Sequence, residues 1–448
     1  MDSMQKPIKI GIVGAGFAGT SLLAALNQIT TSPLEIFLFE KTGHFGLGIA
    51  YSTDSPFHLL NVRANDMSAL ETQGSHFVDW LKQSDIAKTH LDESQPLGNQ
   101  FAPRFLYGKY LQEMLASLRA SDKLKVTLIP AEVINIIPGD AHYTLITAID
   151  SIAVDKVVLA LGNSLPSAPA FPVSLQHYIA NPWQYEVIKK IPLQDTVILV
   201  GSGLTMVDSV LSLYHQKHQG KIIALSRHGL LPRPHGNSKS TYTFSGAMPQ
   251  RLSQLVKMLR AAAKENEWQA VINAFRQYIP QIWGSLSVAD KKRFLRHGMT
   301  LWNIHRHRVP APVNELLNQL QSTGQLEIIS GRVVEFNDGI VKFTRRGADK
   351  INSLPAQWLI NCMGPSLGLN QKTNPLAQAL VQMGLAQWDA HNLGFDVTTW
   401  GALNDAQGKP ATRLFTLGSP AKGALWESTA VPEIRKQSLA VAKLLLEV

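Results

Sequence analysis

An α/β fold of two parallel-sheet units, the second inserted into the first and carrying a helical subdomain, is what this sequence predicts. Two observations lead to it. The stretches IKIGIVGAGFAGTSLLAAL (Ile8 to Leu26) and VILVGSGLTMVDSVLSL (Val197 to Leu213) each read as buried strand, glycine turn and helix. Two other apolar strands, KVVLALG at 156–162 and QWLINCMG at 357–364, end in glycine and run into proline-containing stretches. They look like paired exits where the chain crosses between units. With 448 residues there is length for two or three cored domains.

The first unit opens on the strand Ile8 to Val13, apolar except for Lys9. Gly14, Gly16 and Gly19 follow in the pattern G-x-G-x-x-G. The first glycine permits the tight turn, the second lets a pyrophosphate approach the backbone, and the third brings helix close to strand. The helix from Gly16 to Gln28 then aims its N-terminal amides at the phosphates. The next strand, LEIFLFE, ends at Glu40. An acid about 20 residues past the last glycine accepts hydrogen bonds from ribose hydroxyls. This is a Rossmann-like dinucleotide site suited to FAD or NAD.

The second unit repeats the design with a change. Gly201 and Gly203 keep the turn, but Met206 stands at the third glycine position and implies looser helix packing. The strand KIIALSRHG (Lys221 to Gly229) places Ser226 or Arg227 at the ribose position instead of an acid. Arg227 suits a 2′-phosphate, which favours NADPH over NADH. Pro249 to Arg308 is rich in helix formers and reads as a helical cover over the cofactor cleft. Near the C-terminus a strand runs into Gly418, and a loop leads to a helix from about Val431 whose N-terminus faces the first cofactor. The expected organisation is an FAD-binding domain of residues 1–165 and 351–448. Between its halves lies an NADPH-binding domain at 190–350, with its helical insertion near 249–308. Two dinucleotides in one chain are most economically used as a hydride relay from NADPH to a flavin.

Composition narrows the chemistry. Cys362 is the only cysteine, which excludes an internal disulfide framework and a dithiol redox pair. The net charge is +9, with its densest cluster in KKRFLRHGMTLWNIHRHR, Lys291 to Arg308. That cluster is either a solvated helix face or a positive rim for an anionic ligand. No zinc-finger, RNP or basic-zipper pattern accompanies it, so nucleic acid is not an expected partner. His305 and His307 diverge on a helix, and no metal site is expected. The most apolar run is interrupted by Asp208, and no membrane span is expected. MDSMQKPIKI lacks a signal-peptide core, so a cytoplasmic protein is the expectation.

Seven segments resemble a known family. They are GAGFAG (14–19), GLGIAYS (46–52), HLLNVRA (58–64), PRFLYGKYL (103–111), GSGLTMVD (201–208), SRHGLLPR (226–233) and WESTAVPEIR (426–435). The chain resembles flavoproteins with two dinucleotide sites, related to class B flavin monooxygenases. More narrowly it resembles the FAD/NAD(P)-binding family that includes FAD-dependent urate hydroxylases. The resemblance implies FAD along Gly14, Gly16, Gly19 and Glu40. The GLGIAYS and HLLNVRA segments would approach the flavin, and Gly418 and the stretch from Trp426 to Ile434 would close over it. NADPH would lie along Gly201, Gly203 and Thr205, with Ser226 and Arg227 at the 2′-phosphate. His58 and Asn61 are the candidate catalytic groups near the reactive edge of the ring. The implied activity is hydroxylation of a small polar or anionic substrate by molecular oxygen, through a flavin C4a-hydroperoxide. Two rivals remain: an NADPH-dependent flavin reductase or dehydrogenase, and a flavin-binding sensor that does not turn over. Substrate and oligomeric state are left open.

Overall fold

The computed structural model describes residues 6–92, 94–236, 241–366, 368–369 and 374–447. The start of the N-terminal stretch read above for a signal core therefore lies outside the described residues. In the first unit, β1 (Lys9–Val13) is buried at four of its five positions and passes through the glycine turn into α1 (Phe17–Ile29). β2 (Leu34–Phe39), α2 (Arg104–Arg119), β3 (Leu124–Ile129) and β4 (Lys156–Leu159) follow. β1 lies between β2 and β4, with Ile12 opposite both Leu38 and Val158. All these pairings are parallel, and near-continuous apolar strands are what a parallel sheet covered on both faces requires. One face packs on α1 and α2, burying Leu22, Leu23 and Tyr107. The other meets a three-stranded antiparallel sheet at 135–138, 143–146 and 151–154, whose Leu145 sits against Gly11.

The second unit is built on the same plan. β5 (Val197–Val200) is fully buried and turns at Gly201 into α3 (Leu204–His215). β6 (Ile222–Ser226) follows, then five helices between residues 252 and 306. After them come α4 (Ala311–Ser322), β7 (Leu326–Asn337) and β8 (Trp358–Asn361). The seven-stranded sheet runs 351–355, 340–345, β7, β6, β5, β8 and 178–179. The chain then returns to the first sheet through 402–404 and β9 (Pro410–Thr416), and ends in α5 (Val431–Leu446), which packs on α1.

The pairing corrects the expected boundary. Strands 351–355 and β8 were assigned to the outer unit, and 178–179 to neither. All three belong to the second sheet, with Leu359 opposite Ile198 of β5. β8 is to β5 what β4 is to β1. A Cβ added to Gly14 (φ 108°) would meet the Ala160 carbonyl oxygen at 2.2 Å. One added to Gly201 (φ 121°) would meet the Cys362 carbonyl oxygen at 2.3 Å. In both units the glycine turn passes against the end of the neighbouring strand, where a side chain has no room. Met206 is fully buried in the second core, so α3 meets its sheet across a side chain. α1 does so backbone to backbone, with Gly19 tight against the Gly14 carbonyl.

The helical cover has its own core around Phe244, Phe275 and Trp283, and this core includes Leu393 and Trp426 of the returning chain. It is thus docked on the first unit as well as inserted in the second.

Candidate functional site

At the first glycine turn α1 begins with no side-chain cap and no acid in its first turn. Its leading N–H groups therefore face outward without intrahelical partners. Glu40 stands beside them: Oε2 accepts from the Ala15 N–H (3.2 Å), and Oε1 accepts from the Thr42 N–H and hydroxyl. The GLGIAYS loop closes the opposite side. The Gly46 N–H donates to the Ala15 carbonyl (2.7 Å), and Gly16 and Gly48 face each other so closely that an added Cβ on either would lie 3.3 Å from the other's Cα. A cradle kept clear of side chains, with a helix N-terminus at its base and an acid at its rim, fits a pyrophosphate and an adjoining ribose. Gly418 (φ 74°) is buried against Ala18 and Ile434, so it lies over the first turn of α1.

The second turn is equally open. α3 has no side-chain cap, and a Cβ on Gly203 would meet nothing within 4 Å. Thr205 lies on its first turn, half-buried beside Gly364. The Ser226 hydroxyl is within 2.8 Å of the Ser202 hydroxyl and accepts from the Gly229 N–H, so it locks the turn to the loop after β6. Arg227 is exposed and lines a cavity of about 440 Å³ with Arg296, Arg332, Arg345 and Arg346, opposed by the single carboxylate Asp349. Arg296 comes from a π-helical turn, 294–298, of the cover. The sequence reading found Arg227 but not the four arginines gathered around it.

The two units are stitched together by residues from the family-like segments. Arg104 at the start of α2 pairs with Asp208 of α3 (Nη1–Oδ2 2.7 Å, Nη2–Oδ1 3.3 Å) and donates through Nε to the Leu59 carbonyl. His58 is part of the same seam. It is buried, with Nδ1 2.9 Å from the Thr53 hydroxyl and Nε2 2.8 Å from the Ser212 hydroxyl. Burial lowers its pKa despite nearby Asp208. Both ring nitrogens are engaged, so His58 is not a free donor toward a reacting atom; its place is the joint between the units. Asn61 differs. It is half-buried, its carbonyl lies 3.0 Å from His235 Nε2, and its side-chain amide has no partner among the described residues.

Trp426 also departs from expectation. It stacks on Trp283 of the cover (4.7 Å, 27°), takes the edge of Phe294 and has the Lys422 ammonium over its ring at 5.1 Å. These contacts hold the cover down and leave the ring in that core rather than on a flavin. Beside it, buried Glu427 accepts from Arg306 Nε (3.1 Å) and from the Trp302 indole (2.8 Å). Burial alone would raise the Glu427 pKa; Arg306 and its neighbours overcome that and hold it low. Glu433 takes Arg276 (2.6 Å), and Arg308 donates to Asn273. The basic cluster of the sequence is therefore partly buried between cover and first unit. His305 and His307 do not converge on a metal, and no group of metal-ligating side chains is found among the described residues. Nor is any described helix long and apolar enough to cross a membrane. Cys362 is buried, with its thiol pushed up to about 12 by that burial.

Residues 11–164 match the model of a family described as FAD-NAD(P)-binding, which spans the first cradle, Glu40 and the strand beside them. No curated protein sequence matches the chain. Among solved structures, the ornithine N-hydroxylase of Kutzneria sp. 744, with reduced FAD, NADP⁺ and L-ornithine, aligns over 98% of this chain and 99% of its own (TM-score 0.68, 14% identity). The L-lysine 6-monooxygenase of Pseudomonas syringae aligns over 98% and 99% (0.65, 15%). The bacillithiol disulfide reductase of Bacillus cereus aligns over 98% and 99% (0.55, 14%). At these identities the likeness is one of fold. The hydroxylases among these neighbours act on amino acids and are not urate hydroxylases.

Proposed function

We propose that the chain is a flavin-dependent monooxygenase that consumes NADPH and hydroxylates a small polar or anionic molecule. One observation carries the reading: two uncapped helix N-termini, each cleared by glycine, one beside an acid and the other beside an arginine-lined cavity. The first fits FAD and the second fits the 2′-phosphorylated nicotinamide nucleotide. FAD bound there supplies the redox chemistry that takes electrons from NADPH and passes them to oxygen. The chain's own residues do the rest. Gly14 lets the turn pass the Ala160 carbonyl, Gly16 and Gly48 let the loop close beside the helix N-terminus, and Glu40 meets the ribose. Arg227, Arg345 and Arg346 select the 2′-phosphate, and the Arg104–Asp208 pair fixes how the two nucleotides approach. The cover, pinned by Trp426 and Glu427, would shield a flavin bound in the first unit from water. Asn61 is the remaining candidate to orient the substrate. Arrangement over the full chain like that of the ornithine and lysine hydroxylases supports this reading. The disulfide-reductase neighbour does not redirect it, because a buried thiol without a second cysteine cannot run dithiol exchange.

The test is direct. Purified protein should carry non-covalent FAD, and NADPH should reduce it without oxygen present. Metabolites that accelerate NADPH oxidation should then gain one atom from ¹⁸O₂, read by mass spectrometry. Flavin that NADPH reduces, but that yields only peroxide with every metabolite tried, would move the assignment to a reductase. Flavin inert to NADPH would move it to a sensor.

A further inference from the structure

The basic cluster at the seam between cover and first unit contains more cation than it neutralises. Two arginines of the described chain are buried, Arg306 and Arg308, at 5% and 6% exposure. Arg306 has the Glu427 carboxylate. Among the described residues Arg308 has only the neutral Asn273 amide and the face of Trp268, 5.7 Å from its guanidinium carbon. Its Nε and the Nη2 of Arg306 are both buried without a hydrogen-bond partner among the described residues. A buried guanidinium without a counter-charge is unfavourable unless an anion completes it.

Among the described residues no carboxylate is bonded to Arg308: Glu427 serves Arg306 and Glu433 serves Arg276, with the second oxygen of Glu433 buried without a partner. The charged groups nearest to Arg308 are other arginines, Arg306, Arg276 and Arg63, and burial with their repulsion lowers it only to about 10, so it stays charged. His235 and His307, both pushed down to about 4, are neutral. The location is the one the proposed reaction needs. Val309 exchanges backbone hydrogen bonds with Arg233 and His235, and His235 reaches the Asn61 carbonyl in the segment read as flavin-facing. Phe101 lies between His235 (4.8 Å) and Arg63 (5.0 Å) on the same side. The residues come from the 58–64 loop, Phe101 before α2, the stretch 233–235 after β6, the end of the cover and Glu427 of the returning chain.

We propose that Arg308, with the free Nη2 of Arg306, is the pole that receives a carboxylate carried by the substrate. Calling that ligand the substrate rests on the monooxygenase reading; the anion site itself does not. Arg306 and Arg276 already hold Glu427 and Glu433, which leaves Arg308 as the buried arginine without a carboxylate among the described residues. Each of the two N–H groups is a charged donor without a partner, of the kind that pairs with a carboxylate oxygen. Asn61, with its free amide, would meet the uncharged end.

The test is equilibrium binding to the oxidised holoprotein without NADPH, by calorimetry and by fluorescence of the nearby tryptophans, at pH 7.5 and fixed ionic strength. The probes are formate, acetate and benzoate, each against its neutral amide: formamide, acetamide and benzamide. At least one acid should bind tenfold or more tightly than its amide. Arg308→Gln should reduce that preference at least tenfold, and Arg308→Lys should restore part of it. Arg346→Gln, in the nucleotide cavity, should leave it intact. If no acid is preferred, or if the preference falls with Arg346→Gln and survives Arg308→Gln, the proposal is overturned. Should Arg308→Gln fail to retain FAD, the parent series and Arg308→Lys still decide. Because no turnover is involved, a protein that prefers acids but never oxygenates keeps this site and loses the monooxygenase. One that oxygenates uncharged molecules without acid preference does the reverse.

Discussion

Gly16 shows how much one missing atom can decide. Its Cα packs on Gly48, and an added Cβ would lie 3.3 Å from that neighbour, where the GLGIAYS loop closes beside the helix N-terminus proposed for the pyrophosphate. Its own backbone is ordinary (φ −77°), so a side chain there leaves the turn's own conformation allowed but pushes the Gly48 loop off the helix N-terminus. Gly16→Val is therefore expected to leave far-ultraviolet dichroism unchanged and to remove most flavin absorbance from the purified protein. Full flavin content in that variant would put the cofactor elsewhere. Arg227 is the matching residue in the second unit, now in the company of Arg345 and Arg346. A charge-assisted contact to the 2′-phosphate contributes about 1.5–3 kcal/mol. Arg227→Ala should accordingly narrow the preference for NADPH over NADH by roughly tenfold or more. The measurement is the anaerobic rate of flavin reduction with each nucleotide, and equal rates in the parent would sink the assignment. These residues were legible in the sequence because their signal is local: an apolar strand, a glycine spacing and the residue ending the next strand. Arg345 and Arg346 were not, since they lie over a hundred residues further on and reach Arg227 through two pairings, β6 with β7 and β7 with the strand 340–345.

At the scale of elements, the link between cover and returning chain is the buried Arg306–Glu427 pair beside the Trp283–Trp426 stack. Breaking a buried pair by removing one partner costs about 3–5 kcal/mol, whereas replacing both by apolar residues is often neutral. Glu427→Gln should thus lower the urea midpoint followed by tryptophan fluorescence, and Arg306→Met with Glu427→Leu should recover most of the loss. A Glu427→Gln protein as stable as the parent would remove the pair from the anchoring role. The same region sets an acid limit. His235 and His307 are held down to about 4 by burial, with arginines adding to it, so the folded rings stay neutral while unfolded ones protonate near 6.5. Stability is fully present above about 6.5 and declines as pH falls toward 4. The Glu427 carboxylate, held low in the fold, adds loss in the same direction at the acid end. Melting temperature should fall on going from pH 7.5 to 4.5, and His307→Gln should flatten that slope. Elements were read well from sequence where periodicity was strong. The sheet to which β8 belongs was not, because its apolar run is of the same kind as that of β4 and only pairing distinguishes them. Trp426 was misplaced for a related reason: its stacking partner lies in another element far along the chain.

For the molecule as a whole, the question is what holds two nucleotide units at a working angle. Neither glycine turn contains that information. It lies in contacts between segments, with Arg104 reaching Asp208 and His58 reaching Ser212 across sequence separations of 104 and 154 residues. The sequence therefore marked the segments as family-like without indicating that PRFLYGKYL and GSGLTMVD join each other. The seam connects the first turn of α2 to the middle of α3, and α3 begins at the turn proposed for NADPH. A loosened seam should spare FAD binding, which depends on α1, and should misplace the nicotinamide relative to the ring. Small displacements of reacting groups can cost about a hundredfold in rate. Asp208→Asn removes one charge of a half-buried bidentate pair and leaves its shape. It is expected to keep full FAD content and to slow anaerobic flavin reduction by NADPH roughly tenfold, about 1.4 kcal/mol in the barrier. Reduction by dithionite, which needs no second unit, should be unchanged. Arg104→Met should act in the same way, and the double variant should be little worse than either single one, because both remove one interaction. Unchanged NADPH kinetics in both single variants would mean that the angle is set elsewhere, with the docked cover as the next contact to test.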